Sequence, residues 1–286
     1  MPRLQRYSYA DVLSDLDGID DWLQRLGLVA KQDRIHFAIE VLRRAEENFR
    51  QSGGRQPEVI GNNDDFIFGV CEALEIRDIY RAFNNEPKER IAPILDRALS
   101  GPHRPADENE QNADGRNIGF ELAFGADLRL RGANVELEEP DLRLSIDGHT
   151  YLLACKRPRR AESIRACIRD AVRQLRTSVV DEANQQASGI IAISVGRILN
   201  PGTHYFTAHL EVLGDRVLEL LEANKNHGRR AARDVPAICA VLFHIATPGE
   251  VEGILTRMSY VVMYDAGVPS AAFDHLADHI APMYEV

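Results

Sequence analysis

At 286 residues, with 44% hydrophobic and 27% charged side chains, the chain is long enough for one large domain or two ordinary ones and has the balance of a folded protein. A formal net charge of −10 argues against a protein that coats nucleic acid without selection. No run of about 18 apolar residues occurs, and the opening MPRLQRYSYADVLSDLDGIDDW turns acidic without an apolar leader, so a cytoplasmic protein away from the membrane is expected.

Residues 1 to about 100 read as helices. Leu16, Ile19, Leu23 and Leu26 recur at helical spacing, and KQDRIHFAIEVLRRAEENFRQ sets Ile35, Ala38, Ile39 and Leu42 on one face. DDFIFGVCEALEIRDIYRAF and KERIAPILDRALSG supply two more helices. The stretch GPHRPADENEQNADG, residues 101–115, has two prolines and no large apolar side chain, so it reads as a linker and marks a domain boundary.

Beyond it the pattern changes. Residues 116–127 suggest a helix carrying Glu121, and ANVEL, DLRLSI and HTYLLACK read as strands. A long helix is expected from about 161 to 187, with Ile164, Ile168, Val172, Leu175 and Val179 as its buried stripe. GIIAISVG, a helix near 209–225, AICAVLFHIA and SYVVMYDAG complete the series. Strands separated by helices predict an α/β fold for residues 116–286 with a mainly buried sheet, behind a helical N-terminal domain at 1–100.

The informative segment is EEPDLRLSIDGHTYLLACKRP, residues 138–158. Asp147-Gly148 between two alternating runs is a strong two-residue hairpin signal. Such a loop sets Ile146 against His149, Leu144 against Tyr151 and Asp141 against Ala154, and Lys156 then shares the face of Asp141. Leu142, Leu144, Ile146, Tyr151, Leu153 and Cys155 collect on the reverse, core face.

Pro140-Asp141, twelve residues, then Ala154-Cys155-Lys156 and a long helix together resemble the PD-(D/E)XK nuclease superfamily, the restriction-endonuclease-like fold. The resemblance implies a mixed sheet flanked by helices over roughly residues 116–265. It implies that Asp141 and the Cys155 carbonyl hold Mg²⁺ (or Mn²⁺) and that Lys156 positions the attacking water. It also implies a glutamate on the preceding helix, where Glu121 stands. The family's second acidic position is filled here by Ala154, so another carboxylate has to complete the ligand set, Glu121 first and Glu139 second. The residue types suit the chemistry: phosphodiester hydrolysis needs a hard cation on oxygen ligands, and a lysine adds positive charge near the transition state.

Positive charge is concentrated directly after this motif. From Lys156 to Arg176 there are eight basic residues against Glu162 and Asp170. Arg165, Arg169 and Arg173 form an i, i+4 row, and Arg157, Arg159 and Arg160 follow the lysine, a distribution suited to phosphates and so to nucleic acid, DNA first. Asp170 is expected to pair with a neighbouring arginine. Cys71, Cys155, Cys167 and Cys239 show no CxxC spacing and read as reduced, partly buried thiols. His275 and His279 have the spacing of a zinc helix without the adjacent glutamate of a metalloprotease. Three functions remain open: a metal-dependent nuclease, a nuclease-fold module that only binds nucleic acid, and an interaction or regulatory protein. The helical N-terminal part would choose the substrate, a protein partner or a second copy.

Overall fold

The apolar repeats of the first hundred residues form α1 (Tyr9–Leu26), α2 (Asp33–Gln51), α3 (Asp64–Phe83) and α4 (Lys88–Ala98) in a computed structural model of the chain. The structure describes residues 9–28, 33–51, 64–102, 107–109, 111–181, 187–200, 210–251, 254–267 and 270–284. Leu16, Ile19, Leu23 and Leu26 line one side of α1 and all are buried, as are Ile35, Ala38, Ile39 and Leu42 of α2. Trp22 of α1 lies against Tyr80 of α3, with ring centroids 5.5 Å apart.

These helices are tied to the rest of the chain through a buried carboxylate. Glu72 of α3 accepts from Arg34 of α2 and, at 2.7 Å, from Arg116 at the start of α5 (Asp114–Leu130). Burial alone would raise the Glu72 carboxyl, but Arg116 and Arg34 override it and hold the group at about 2. Arg34 also donates to the Ala98 carbonyl at 3.1 Å, which anchors the end of α4. One apolar core contains Leu16, Leu74 and Leu95 together with Leu122, Leu142 and Tyr151, so it is continuous across residues 101–115.

The described strands make one six-stranded mixed sheet in sequence order: β1 (Asn134–Glu138), β2 (Asp141–Ile146), β3 (His149–Lys156), β4 (Ala187–Ser194), β5 (Ile238–Val251) and β6 (Ile254–Asp265). β1, β2 and β3 form an antiparallel meander, β4 and β5 run parallel to β3, and β6 returns antiparallel. The parallel crossovers are made by α6 (Ile164–Asp181), then by α7 (Gly196–Leu199) and α8 (Leu210–Ala232), as the geometry of parallel pairing demands. α9 (Ala271–Tyr284) follows β6.

The hairpin register is the one the Asp147-Gly148 pair predicts: Leu142↔Leu153, Leu144↔Tyr151 and Ile146↔His149. Asp147 and Gly148 take φ of 47° and 81°, the left-handed conformations that a tight hairpin turn needs. Leu142, Leu144, Ile146, Tyr151, Leu153 and Cys155 all lie in the core shared with α5 and the N-terminal helices. Leu152 and Ala154 point the other way, into a second core formed with Ile164, Ile168 and Leu175 of α6 and Val217 and Leu221 of α8. β3 is therefore buried on both faces, and the side bearing Asp141 and Lys156 is polar only at its end.

Several boundaries differ from the sequence reading: α5 runs on to Leu130, β5 runs on to Val251 and β6 begins already at Ile254. The helix expected from 161 starts at Ile164, because Ala161–Ser163 form a tighter turn in which the Ser163 hydroxyl donates to the Arg160 carbonyl at 2.7 Å; residues 182–186, in its expected last turn, lie outside the described residues. The helix expected to end near 225 continues to Ala232. Among the described residues no helix is long and apolar enough to cross a membrane.

Candidate functional site

The open end of the β2–β3 hairpin gathers the polar side chains. Beyond the ladder pair Leu142↔Leu153, the Cys155 N–H finds no strand carbonyl and instead donates to Asp141 Oδ2 at 2.6 Å. Lys156 Nζ lies 3.6 Å from the same oxygen and donates to the Cys155 carbonyl at 3.0 Å. Asp141 and Lys156 thus meet, through the register that also sets Ala154 opposite Asp141.

A third group completes the arrangement. Gln174 of α6 donates to Asp141 Oδ1 at 2.8 Å and to the Pro140 carbonyl at 2.9 Å, while its own carbonyl accepts from Lys156 at 2.6 Å. Its amide bridges the carboxylate and the amine. Sequence reasoning passed over Gln174, although a polar residue between Val172 and Leu175 in a buried stripe was a signal that α6 turns something toward the sheet.

Glu121 arrives from α5. Its carboxyl is pushed up to about 8, first by burial and then by the charge of Asp141, against the pull of Lys156. The Asp141 carboxyl is also raised by burial, opposed by Lys156, the Cys155 N–H and Gln174. The Asp141 charge on β2 therefore disfavours ionisation of Glu121 on α5, while Lys156 of β3 favours it. Glu139 is exposed, and its charge reaches Asp141 only as a weaker contribution. Ala154 is fully buried among the apolar side chains under α6. The Cys155 thiol is buried too, and burial followed by the two nearby carboxylates raises it well above its ordinary range, so it offers no thiolate nucleophile.

The arginines divide into two groups. Glu108, with its side chain 0% exposed, binds Arg157 at 2.7 Å and also pairs with Arg197. Arg159 donates to the Glu108 carbonyl at 3.1 Å. The segment read as a linker therefore carries a buried acid that neutralises one of the arginines assigned to phosphate, Arg157, together with Arg197, and holds a second, Arg159, through its backbone carbonyl; residues 103–106 and 110 within it lie outside the described residues. Arg160, Arg165 and Arg169 are exposed. Arg173, also exposed, pairs with Asp170, as expected for that acid. Directly after Lys156 an open groove is lined by Asn109, Arg157, Arg159, Arg160, Ser163 and Cys167. Arg159 Nε is buried beside it with no hydrogen-bond partner among the described residues.

No protein-family model matches the chain, and no curated protein matches it. The chemistry of the site therefore rests on its own geometry. Carboxyl and carbonyl oxygens are hard donors of the kind that suits Mg²⁺ or Mn²⁺, and Asp141 and the Cys155 carbonyl present two of them beside the Lys156 ammonium.

Proposed function

We propose that this chain is a metal-dependent nuclease that hydrolyses phosphodiester bonds of nucleic acid, with a core of the restriction-endonuclease-like kind. The observation that carries the reading is the pairing of Asp141 with Lys156 at 3.6 Å, close enough to Glu121 that burial and the Asp141 charge push the Glu121 carboxyl up to about 8. A protein gains nothing in stability by driving two acids together, whereas a divalent cation turns that repulsion into binding. Asp141, Glu121 and the Cys155 carbonyl would hold Mg²⁺, which would supply neutralisation of the charge that develops on the phosphate. Lys156, kept in place by Gln174, orients the attacking water and adds a second positive charge. The groove with Arg159 and Arg160, and the exposed row on α6, would track the sugar–phosphate strand.

Asp141→Asn and Lys156→Ala are each expected to lower Mg²⁺-dependent cleavage by at least about a hundredfold while the fold is kept. The measurement is turnover of labelled single- and double-stranded DNA and RNA, with Mg²⁺ or Mn²⁺, beside circular dichroism of each variant. Folded variants that both cut as fast as the parent would remove the assignment.

A second reading rests on Gln174 and Ala154. Both Asp141 oxygens and Lys156 already have protein partners, as in a site that has lost catalysis and only binds. Salt-dependent binding without cleavage would favour it. In either case, alanine at Arg165, Arg169 and Arg173 together should reduce the slope of log affinity against log salt by about one unit per lost phosphate contact. An unchanged slope would leave that row as a solvated helix face.

A further inference from the structure

At the other end of the hairpin, the β2–β3 turn meets α9. Asp147 Oδ2 lies 3.0 Å from His279 Nε2 and 3.7 Å from His275 Nε2. The possible ligand atoms of all three residues fall within 4.8 Å of one another. Asp147 lies six residue steps along the strand from Asp141, roughly 20 Å at the rise of an extended chain. The two clusters are therefore independent, and the chemistry at Asp147 does not rest on the nuclease reading.

The hydrogen bonds on the far side of each imidazole fix where its proton sits. The Tyr151 hydroxyl donates to the Ala272 carbonyl at 2.9 Å, so its oxygen is left to accept from His275 Nδ1 at 2.8 Å. His279 Nδ1 donates to the His275 carbonyl at 2.8 Å. In a neutral imidazole the second nitrogen is then a bare acceptor. With both imidazoles neutral, two Nε2 lone pairs and a carboxylate are thus turned on one point, while the His275 carbonyl and the Asp147 carboxylate both favour a proton on His279. A proton on His279 would satisfy one of the two contacts and leave His275 Nε2 facing the carboxylate. One cation at the centre satisfies both.

The donor set selects the cation. Two imidazole nitrogens and one carboxylate suit Zn²⁺ and its borderline neighbours, whereas Mg²⁺ and Ca²⁺ take oxygen ligands. Zn–N and Zn–O bonds of about 2.0–2.2 Å put adjacent ligands of a tetrahedron roughly 3.3 Å apart, and the two N–O distances bracket that value. The outer bonds from ring N–H to a hydroxyl and to a backbone carbonyl are the supports that metal-bound histidines use. The Asp147 side chain is 74% exposed, so it can close the remaining gap, and solvent reaches the site.

The geometry points to a binding site for a zinc-class divalent cation, held by Asp147, His275 and His279, open to water at its fourth position and fastening α9 to the β2–β3 turn. Tyr151 is a positioning residue for it, acting through His275.

The test uses the full chain, stripped with a chelator and titrated with Zn²⁺, then with Co²⁺ as a spectroscopic substitute. One equivalent of Zn²⁺ is expected to bind and raise Tm, and Co²⁺ to give the intense visible absorption of a four-coordinate site. Asp147→Asn, which keeps a residue tolerant of left-handed φ in the turn, and His279→Gln should each weaken Zn²⁺ binding by at least about a hundredfold. Tyr151→Phe, with every ligand intact, should weaken it by roughly 10–100-fold. Glu121→Gln should leave it unchanged, which separates this site from the one at the other end of the hairpin. Absence of a stoichiometric Zn²⁺ in the parent, or affinity and Co²⁺ spectra indifferent to Asp147→Asn and His279→Gln, would overturn the assignment.

Discussion

Above pH 8 the Glu121→Gln variant is expected to be more stable than the parent, by about 1–2 kcal/mol in urea unfolding, while losing Mg²⁺-dependent cleavage nearly as completely as Asp141→Asn. The Glu121 carboxyl is raised from 4.5 to about 8 by burial and by Asp141. Below 4.5 it is protonated in the folded and the unfolded chain alike and contributes no pH dependence. Between 4.5 and about 8 the unfolded chain gives up the proton first, so each step upward in pH favours unfolding. Above about 8 the penalty is complete and constant. A shift of that size corresponds to about 4–5 kcal/mol for a group sealed from water; Glu121 is partly exposed, and solvent screening reduces it to the value expected. Glutamine cannot ionise, so its stability should stay level across the same window. Mg²⁺ supplies the missing test of purpose: it should recover the parent's stability at pH 9 and do nothing for the variant. Parallel pH profiles for parent and variant would mean that the carboxyl is solvated and that no tension exists between the two acids.

Such a trade of stability against function is what a site residue shows and a structural residue does not. It also explains which parts of the molecule were legible in sequence. The hairpin could be read to the residue because its information is local: Asp147-Gly148 fixes the turn, and alternation fixes the faces on either side. Glu121 could be placed at the site only through the family resemblance, since nothing in its own helix distinguishes it from a solvated acid. Gln174 and Glu108 depend on partners far along the chain. Gln174 reaches back to Pro140 and Asp141, and Glu108 reaches forward to Arg157 and Arg197, pairings that no periodicity encodes. α9 was not foreseen as an element; its buried positions, Leu276, Ile280 and Tyr284, form a stripe of only three residues, and Pro282 interrupts it. The pair His275 and His279 was visible, but its third ligand lies in a turn more than a hundred residues earlier.

Ala154→Glu is the substitution expected to cost the most, roughly 3–5 kcal/mol, and to add no cleavage. The alanine methyl is fully buried in the core under α6 that also holds Leu152, Ile164 and Ile168. A glutamate there can leave that core only toward Asp141 and Lys156, where the Gln174 amide already spans the gap. It must either displace Gln174 or stay charged among apolar side chains, and both are costly. Adding Gln174→Ala makes room, so the double variant Ala154→Glu/Gln174→Ala should regain part of the lost stability and present a third carboxylate beside Asp141 and Glu121. Where Glu121 already serves as the second acid, that third group gains little: like charges raise one carboxyl further, and Mg²⁺ affinity and turnover should not exceed those of the parent. Titration of Mg²⁺ into parent and double variant, with a cleavage assay on both, decides the matter. A parent that binds no Mg²⁺ beside a double variant that does would show that Glu121 does not compensate for Ala154, and would leave the chain as a binding module on a silent hairpin.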